Sequence, residues 1–167
     1  TIRSFSRITN CRIGSRSIVL EGCVLEDSEI GEDVSIGPFA RLRQGAILED
    51  TVKVGNFVEI KKSRLGRGTK SGHLAYLGDA TIGKNVNVGA GVITANYDGT
   101  SKNKTHIEDD AFIGTNSTLI APLNVGQGAF VAGGSAITDD VPAEGLAIAR
   151  ERQVVKEGRA PHRKKKS

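Results

Sequence analysis

The chain has 167 residues, among them three histidines (His73, His106 and His162) and two cysteines (Cys11 and Cys23). An imidazole titrates near neutrality and can take or give a proton at working pH. Of the three, only His73 stands beside glycine where the surrounding pattern changes register, in Gly72-His73-Leu74-Ala75-Tyr76-Leu77-Gly78-Asp79. It is the candidate general base. A lone histidine is more often a surface or satisfied core residue, so this context carries the assignment. A zinc centre needs three convergent ligands; His73 and His106 are far apart in the chain and His162 lies in a basic terminal run, so a third ligand is missing. The cysteines have no C-x-x-C spacing and read as small buried residues in a reducing compartment, with a single bridge as the other option.

The elements that must position these groups follow from a repeat. Seven aromatic residues, no Met and no Trp are a poor supply of core fillers, against 21 glycines and many Val, Ile and Ala. An ordinary globular core or helical bundle would use more Leu, Met and aromatics. Disorder is excluded because apolar residues run through the whole chain, and no apolar run approaches the length of a membrane span. From Val24, aliphatic residues recur every six positions: Ile30, Ile36, Leu42, Leu48, Val54, Ile60. The count slips by one at Leu65 and again at Ile82, and returns after a gap as Ile107, Ile113, Leu119, Val125, Val131 and Ile137. Small or β-branched residues stand two positions earlier (Val34, Ala40, Val52, Val58, Val86, Ala111, Ala129), and glycine often follows.

Six fits neither a helical period nor plain alternation. It fits a short strand and a tight turn, three of which close a triangular coil of about eighteen residues that stacks by parallel pairing. The fold predicted is all-β, a parallel β-helix over residues 1–138. Two stretches interrupt the rhythm and are candidate functional places: residues 61–77, and the polar insertion 95–106, which replaces one hexad with a protruding loop. Residues 139–144 are expected to end the array as a turn or helix start. Residues 139–167 then form a C-terminal arm and basic tail, with a short helix or extended arm over 146–156.

Four blocks are more specific than the hexad: Gly37-Pro38-Phe39-Ala40-Arg41-Leu42-Arg43, Val54-Gly55-Asn56-Phe57-Val58-Glu59-Ile60-Lys61-Lys62, residues 72–79 quoted above, and Gly89-Ala90-Gly91-Val92-Ile93-Thr94-Ala95-Asn96-Tyr97-Asp98-Gly99. In this order they resemble the C-terminal acetyltransferase domain of the bacterial bifunctional N-acetylglucosamine-1-phosphate uridyltransferase/glucosamine-1-phosphate acetyltransferases, from about residue 13 to 150. The resemblance implies a left-handed coil of hexapeptide repeats. It also implies acetyl transfer from acetyl-CoA, as co-substrate, to the amine of glucosamine-1-phosphate, for UDP-N-acetylglucosamine and thence peptidoglycan and lipopolysaccharide. It gives His73 the role of base; Glu59 either orients and stabilises its imidazolium or simply pairs with a lysine. Arg43, Lys61, Tyr76 and Asn87 become sugar-phosphate contacts, with Lys102 a further candidate. Ala90, Asn96, Tyr97, Thr115, Gly133 and Arg150 become acetyl-CoA contacts, Ala90 through its backbone. A homotrimer with sites shared between subunits is implied, in the cytoplasm. Without the resemblance, Arg43 and Lys61 read as solvated charges, and Ala90, Thr115 and Gly133 as plain repeat positions.

The family's nucleotidyltransferase half has no counterpart here, so uridyl transfer and its Mg²⁺ are not expected, and the lack of any Met suggests an excised piece of a longer product. The net charge of +4 is concentrated in residues 150–167, with eight Lys or Arg against two Glu, so the body is slightly acidic. Neither nucleic acid nor membrane is therefore an expected partner, and the basic tail reads as a solvated, mobile end. Three alternatives stand beside this reading: an acyltransferase of the same scaffold for another acceptor, a zinc-dependent carbonic anhydrase that lacks its third histidine, and a non-catalytic trimerising solenoid.

Overall fold

Strands of two to four residues, each ended by a turn, stack into three parallel sheets in the computed structural model, which describes residues 1–157. The sheets hold eight, seven and eight strands and form the faces of a prism. Face one runs from Arg7–Thr9 through Arg41–Arg43, Glu59–Lys61, Tyr76–Gly78 and Ile93–Ala95 to Ala136–Ile137. Face two runs from Arg12–Ile13 to Leu123–Val125, and face three from Ile18–Val19 through Lys53–Asn56, Lys70–His73 and Asn87–Val88 to Leu146–Ala147. Successive coils place like residues directly above one another. Leu25, Leu42 and Ile60 stand opposite each other on face one, and Ile30, Leu48, Leu65 and Ile82 on face two. These columns are buried and form the core, with the small residues Val34, Ala40, Val52, Val58, Val86, Ala111 and Ala129 filling the corners.

Three sequence expectations need correction. The inward residue of its coil is Leu25 rather than Val24: Cys23, Val24 and Leu25 are consecutive apolar residues, so the six-residue period alone does not single out the inward one. The register slips are a regular feature. The chain takes five residues from Leu25 to Ile30, from Ile60 to Leu65 and from Leu77 to Ile82, always between faces one and two. Residues 61–77 therefore lie in an unbroken ladder, and coils are 17 or 18 residues long apart from the one that carries the insertion and a last step of 16 on face three. The array also continues past Ile137. A turn at Pro142, where Gly145 N–H donates to the Pro142 carbonyl at 3.0 Å, returns the chain to face three. There Leu146–Ala147 pairs with Phe130–Val131, and Val141 bridges Val125. Residues 146–156 form an extended arm, and no helix occurs among the described residues. The basic run 162–166 lies outside the described residues.

Buried hydroxyls tie coil to coil at the corners. Ser63 Oγ accepts the Ala80 N–H at 2.8 Å and donates to the Lys61 carbonyl at 2.9 Å. Thr69 Oγ1 accepts the Val86 N–H at 3.1 Å and donates to the Gly83 carbonyl at 2.7 Å. The predicted insertion lengthens one ladder step to 25 residues. Asp98 organises it, accepting from the Thr100 and Ser101 N–H groups at 2.8 and 2.7 Å and from Asn103 Nδ2 at 2.9 Å. Those donors, led by the Ser101 and Thr100 backbones, hold the Asp98 carboxyl far below the ordinary range.

Candidate active site

His73 ends the strand Lys70–His73, where face three turns into face one. Coil stacking places Ala90, Thr115 and Gly133 below it along the same edge, since Ser71, Val88, Ile113 and Val131 are successive partners in the ladder. Arg150 closes the column: its Nη1 donates to the Gly133 carbonyl at 2.5 Å. At one coil per about 4.8 Å, the column spans about 19 Å. The Ala90 carbonyl accepts the Asn116 N–H at 2.7 Å, while no hydrogen bond among the described residues takes up the Ala90 N–H. Asn87 faces outward on face three, between Lys70 and Phe112.

A second group gathers at the far side of face one. Arg43, Lys61 and Gly78 are ladder partners there. Arg43 Nε donates to Glu59 Oε1 at 2.6 Å, so Glu59 is held by Arg43 and not by His73 or a lysine. Lys61 is buried, with its Nζ 4.0 Å from Asp79 Oδ2, and Asn96 Nδ2 donates to the same oxygen at 2.5 Å. The neighbouring Lys102 cation, then burial, push the Lys61 ammonium below the usual lysine range, opposed by Asp79. Lys102 reaches this point because it bridges Tyr97 at the base of the inserted loop. Tyr76 belongs to this group through its hydroxyl: a Cβ built on Gly78 would stand 2.4 Å from Tyr76 Oη and 2.8 Å from Asn96 Nδ2. Glycine is what lets the phenol cross there.

The sequence-predicted residues therefore fall on two edges of the prism. One carries His73, Ala90, Thr115, Gly133 and Arg150. The other carries Arg43, Lys61, Asn96, Tyr97, Lys102 and the Tyr76 hydroxyl, while Asn87 stays on face three. The residues expected around acetyl-CoA are divided, Asn96 and Tyr97 lying across face one from the rest. Sequence reasoning missed Asp79, the carboxylate between Lys61 and Asn96, although it ends the quoted Tyr76-Leu77-Gly78-Asp79 block. It also missed Asn56, whose Oδ1 lies 2.5 Å from His73 Nδ1.

An exposed apolar ridge continues the His73 edge in the other direction. Phe5, Phe39, Phe57 and Leu74 occupy turn positions with positive φ and are 94%, 54%, 56% and 61% exposed. Bulky residues in that backbone region are uncommon. The Phe39 and Phe57 rings stack with centroids 5.6 Å apart. Of the two cysteines, both free thiols, Cys23 is buried and burial pushes its thiol pKa up; Cys11 is half-buried.

Residues 4–121 match the GLGC left-handed parallel β-helix domain family, and residues 104–139 match the hexapeptide repeat of succinyl-transferase. A protein of Thermotoga maritima named "Bifunctional protein GlmU" is 58% identical over 158 residues, covering 94% of this chain and 35% of that protein. One of the same name from a Geobacillus species is 57% identical over 157 residues, covering 94% and 34%. This chain thus spans about a third of the length of the curated relatives it matches. The resemblance drawn from the four sequence blocks is borne out. Among solved structures, the UDP-N-acetylglucosamine acyltransferase from Campylobacter jejuni superposes with a TM-score of 0.61 at 16% identity, over 89% of this chain and 71% of that one. The polySia-specific acetyltransferase NeuO gives 0.54 at 16%, over 100% and 90%. At such identities the likeness is one of fold.

Proposed function

The chain belongs to the left-handed parallel β-helix family, and on that footing we propose that it transfers the acetyl group of acetyl-CoA to the amine of glucosamine-1-phosphate. One observation carries the reading. A histidine heads a column of acetyl-CoA candidates on one edge of face one, and the Arg43/Lys61 cations stand at the other edge of the same face. The sugar binds where a His73 edge meets an Arg43 edge, with its amine toward His73 and its phosphate toward Arg43, whose guanidinium can bind it by a fork. Lys61 adds a buried charge, and Tyr76 and Asn87 contact the sugar. His73 removes a proton as the amine nitrogen attacks the thioester carbonyl carbon. The C–N bond forms and the carbonyl electrons move to oxygen, where the Ala90 N–H donates to the oxyanion. Collapse breaks the C–S bond, and the departing thiolate takes the proton from His73. The products are N-acetylglucosamine-1-phosphate and CoA, the former a precursor of UDP-N-acetylglucosamine for the cell envelope. Two free thiols and the use of CoA support a cytoplasmic setting for this chemistry.

The acetyl-CoA contacts lie on two edges of a rigid prism, so one groove can collect them only if a second copy brings its Asn96 and Tyr97 beside the first copy's Ala90 column. The proposal therefore includes a homotrimer with shared sites, and the ridge of Phe5, Phe39, Phe57 and Leu74 supplies apolar surface for it. Profiling acetyl acceptors tests the substrate. Glucosamine-1-phosphate should outrun glucosamine and serine, and Arg43→Ala should erase most of the advantage over glucosamine. Equal rates with glucosamine, or a preference for serine, would refute the assignment.

A further inference from the structure

We propose that Asn56 is a positioning residue that fixes the tautomer of His73. This rests on the reading of His73 as the base. Gly55 and Gly72 approach backbone to backbone, so closely that a Cβ on Gly55 would stand 1.7 Å from the Gly72 carbonyl oxygen. Asn56 and His73, the next residues, are thereby direct ladder partners, and the Leu74 N–H donates to the Asn56 carbonyl at 3.0 Å, securing the turn that follows. In this register Asn56 Oδ1 meets His73 Nδ1 at 2.5 Å. An amide oxygen can only accept, so the Nδ1 proton is held there and the Nε2 lone pair is left free for the acceptor amine. The acidic alternative, Glu59, is occupied by Arg43. A neutral acceptor orients the ring without the extra proton affinity that a carboxylate would give it. The charged side chains on this strand and its two neighbours are Lys70 and Lys53; the strand Asn87–Val88 carries none.

The test uses the full chain labelled with ¹⁵N-histidine, the His73 signals being assigned by their loss in His73→Ala. Neutral His73 should carry its proton on Nδ1 in the parent and in Asn56→Asp, and should shift toward Nε2–H in Asn56→Ala. In acetyl transfer, Asn56→Ala should lower kcat/KM about tenfold or more, short of the roughly 10²–10⁴-fold expected for losing the base. Asn56→Asp should retain activity but move the acidic limb of the pH profile up by about one unit, because the new carboxylate favours the imidazolium. A purely structural asparagine would produce neither the tautomer change nor the pH shift. An Nε2–H His73 in the parent, or a tautomer unmoved by Asn56→Ala, would overturn the proposal. A parent without acetyl transfer would sink the functional reading, and the ¹⁵N result would still decide the role of Asn56.

Discussion

Replacing Thr94 with valine should open the ladder at the point where the inserted loop leaves it. Tyr76–Gly78 and Ile93–Ala95 pair only at Tyr76 and Ile93, because the chain beyond Ala95 turns out into the loop. The buried Thr94 hydroxyl replaces the missing ladder contact: its Oγ1 accepts the Gly78 N–H at 2.7 Å and donates to the Gly78 carbonyl at 3.0 Å. Valine keeps the shape and leaves that N–H without a partner, at a cost of about 1–3 kcal/mol. The extra buried methyl returns about 0.8 kcal/mol, so the net loss should be about 0.2–2 kcal/mol. Urea unfolding at fixed protein concentration should show a lower midpoint with an unchanged slope. Hydrogen exchange should locate the effect at the Gly78 amide. Asp79, next in the chain, faces Lys61 and binds Asn96, so KM for the sugar phosphate should rise more than kcat falls. A variant as stable as the parent, with Gly78 equally protected, would refute the reasoning.

Ser71 predicts the opposite sign. Its buried Oγ has no hydrogen-bond partner in the column between Val54 and Val88, so Ser71→Ala should stabilise the fold by about 1 kcal/mol, read as a higher urea midpoint; a lower midpoint would show that the hydroxyl is satisfied. Lys61 is held below its unfolded value of about 10.4, chiefly by Lys102. The unfolded chain therefore binds more protons just below that pH, and stability should rise as the alkaline pH climbs toward it. Lys102→Met should flatten this rise in urea midpoints taken at successive alkaline pH values, and an unaltered slope would contradict the pairing. Finally, co-assembling His73→Ala with Tyr97→Ala chains should recover about a quarter of parental activity if each site draws those residues from two copies. No recovery in mixed assemblies would assign both residues to one subunit's site.

The hexad, the insertion and most of the core were legible because a solenoid repeats one local solution, and inward residues such as Leu42, Leu48 and Val54 keep strict spacing. The errors came where local spacing was ambiguous. Three apolar residues at 23–25 concealed the inward one, and the five-residue corner made an ordinary step look like a break at Leu65. Pro142 looked like a terminator although it only turns the chain back onto face three. Within the site, His73 was visible from its context, but Asn56 was not, because the two meet through stacking and not through sequence proximity. Aligning Val54-Gly55-Asn56-Phe57 with Ser71-Gly72-His73-Leu74 would have put them together, since each glycine precedes the residue in question. The placement of Arg43, Lys61 and Asp79 on one edge likewise needed the coil length, which varies irregularly between 17 and 18 outside the insertion and so cannot be extrapolated from a single period.

The most direct test is thiol release from acetyl-CoA in the presence of glucosamine-1-phosphate, comparing the parent chain with His73→Ala. The parent should release CoA in step with N-acetylglucosamine-1-phosphate, and the variant, assembled and folded like the parent, should be slower by roughly 10²–10⁴-fold. Release undiminished in His73→Ala, or absent from a well-folded parent, would contradict the account.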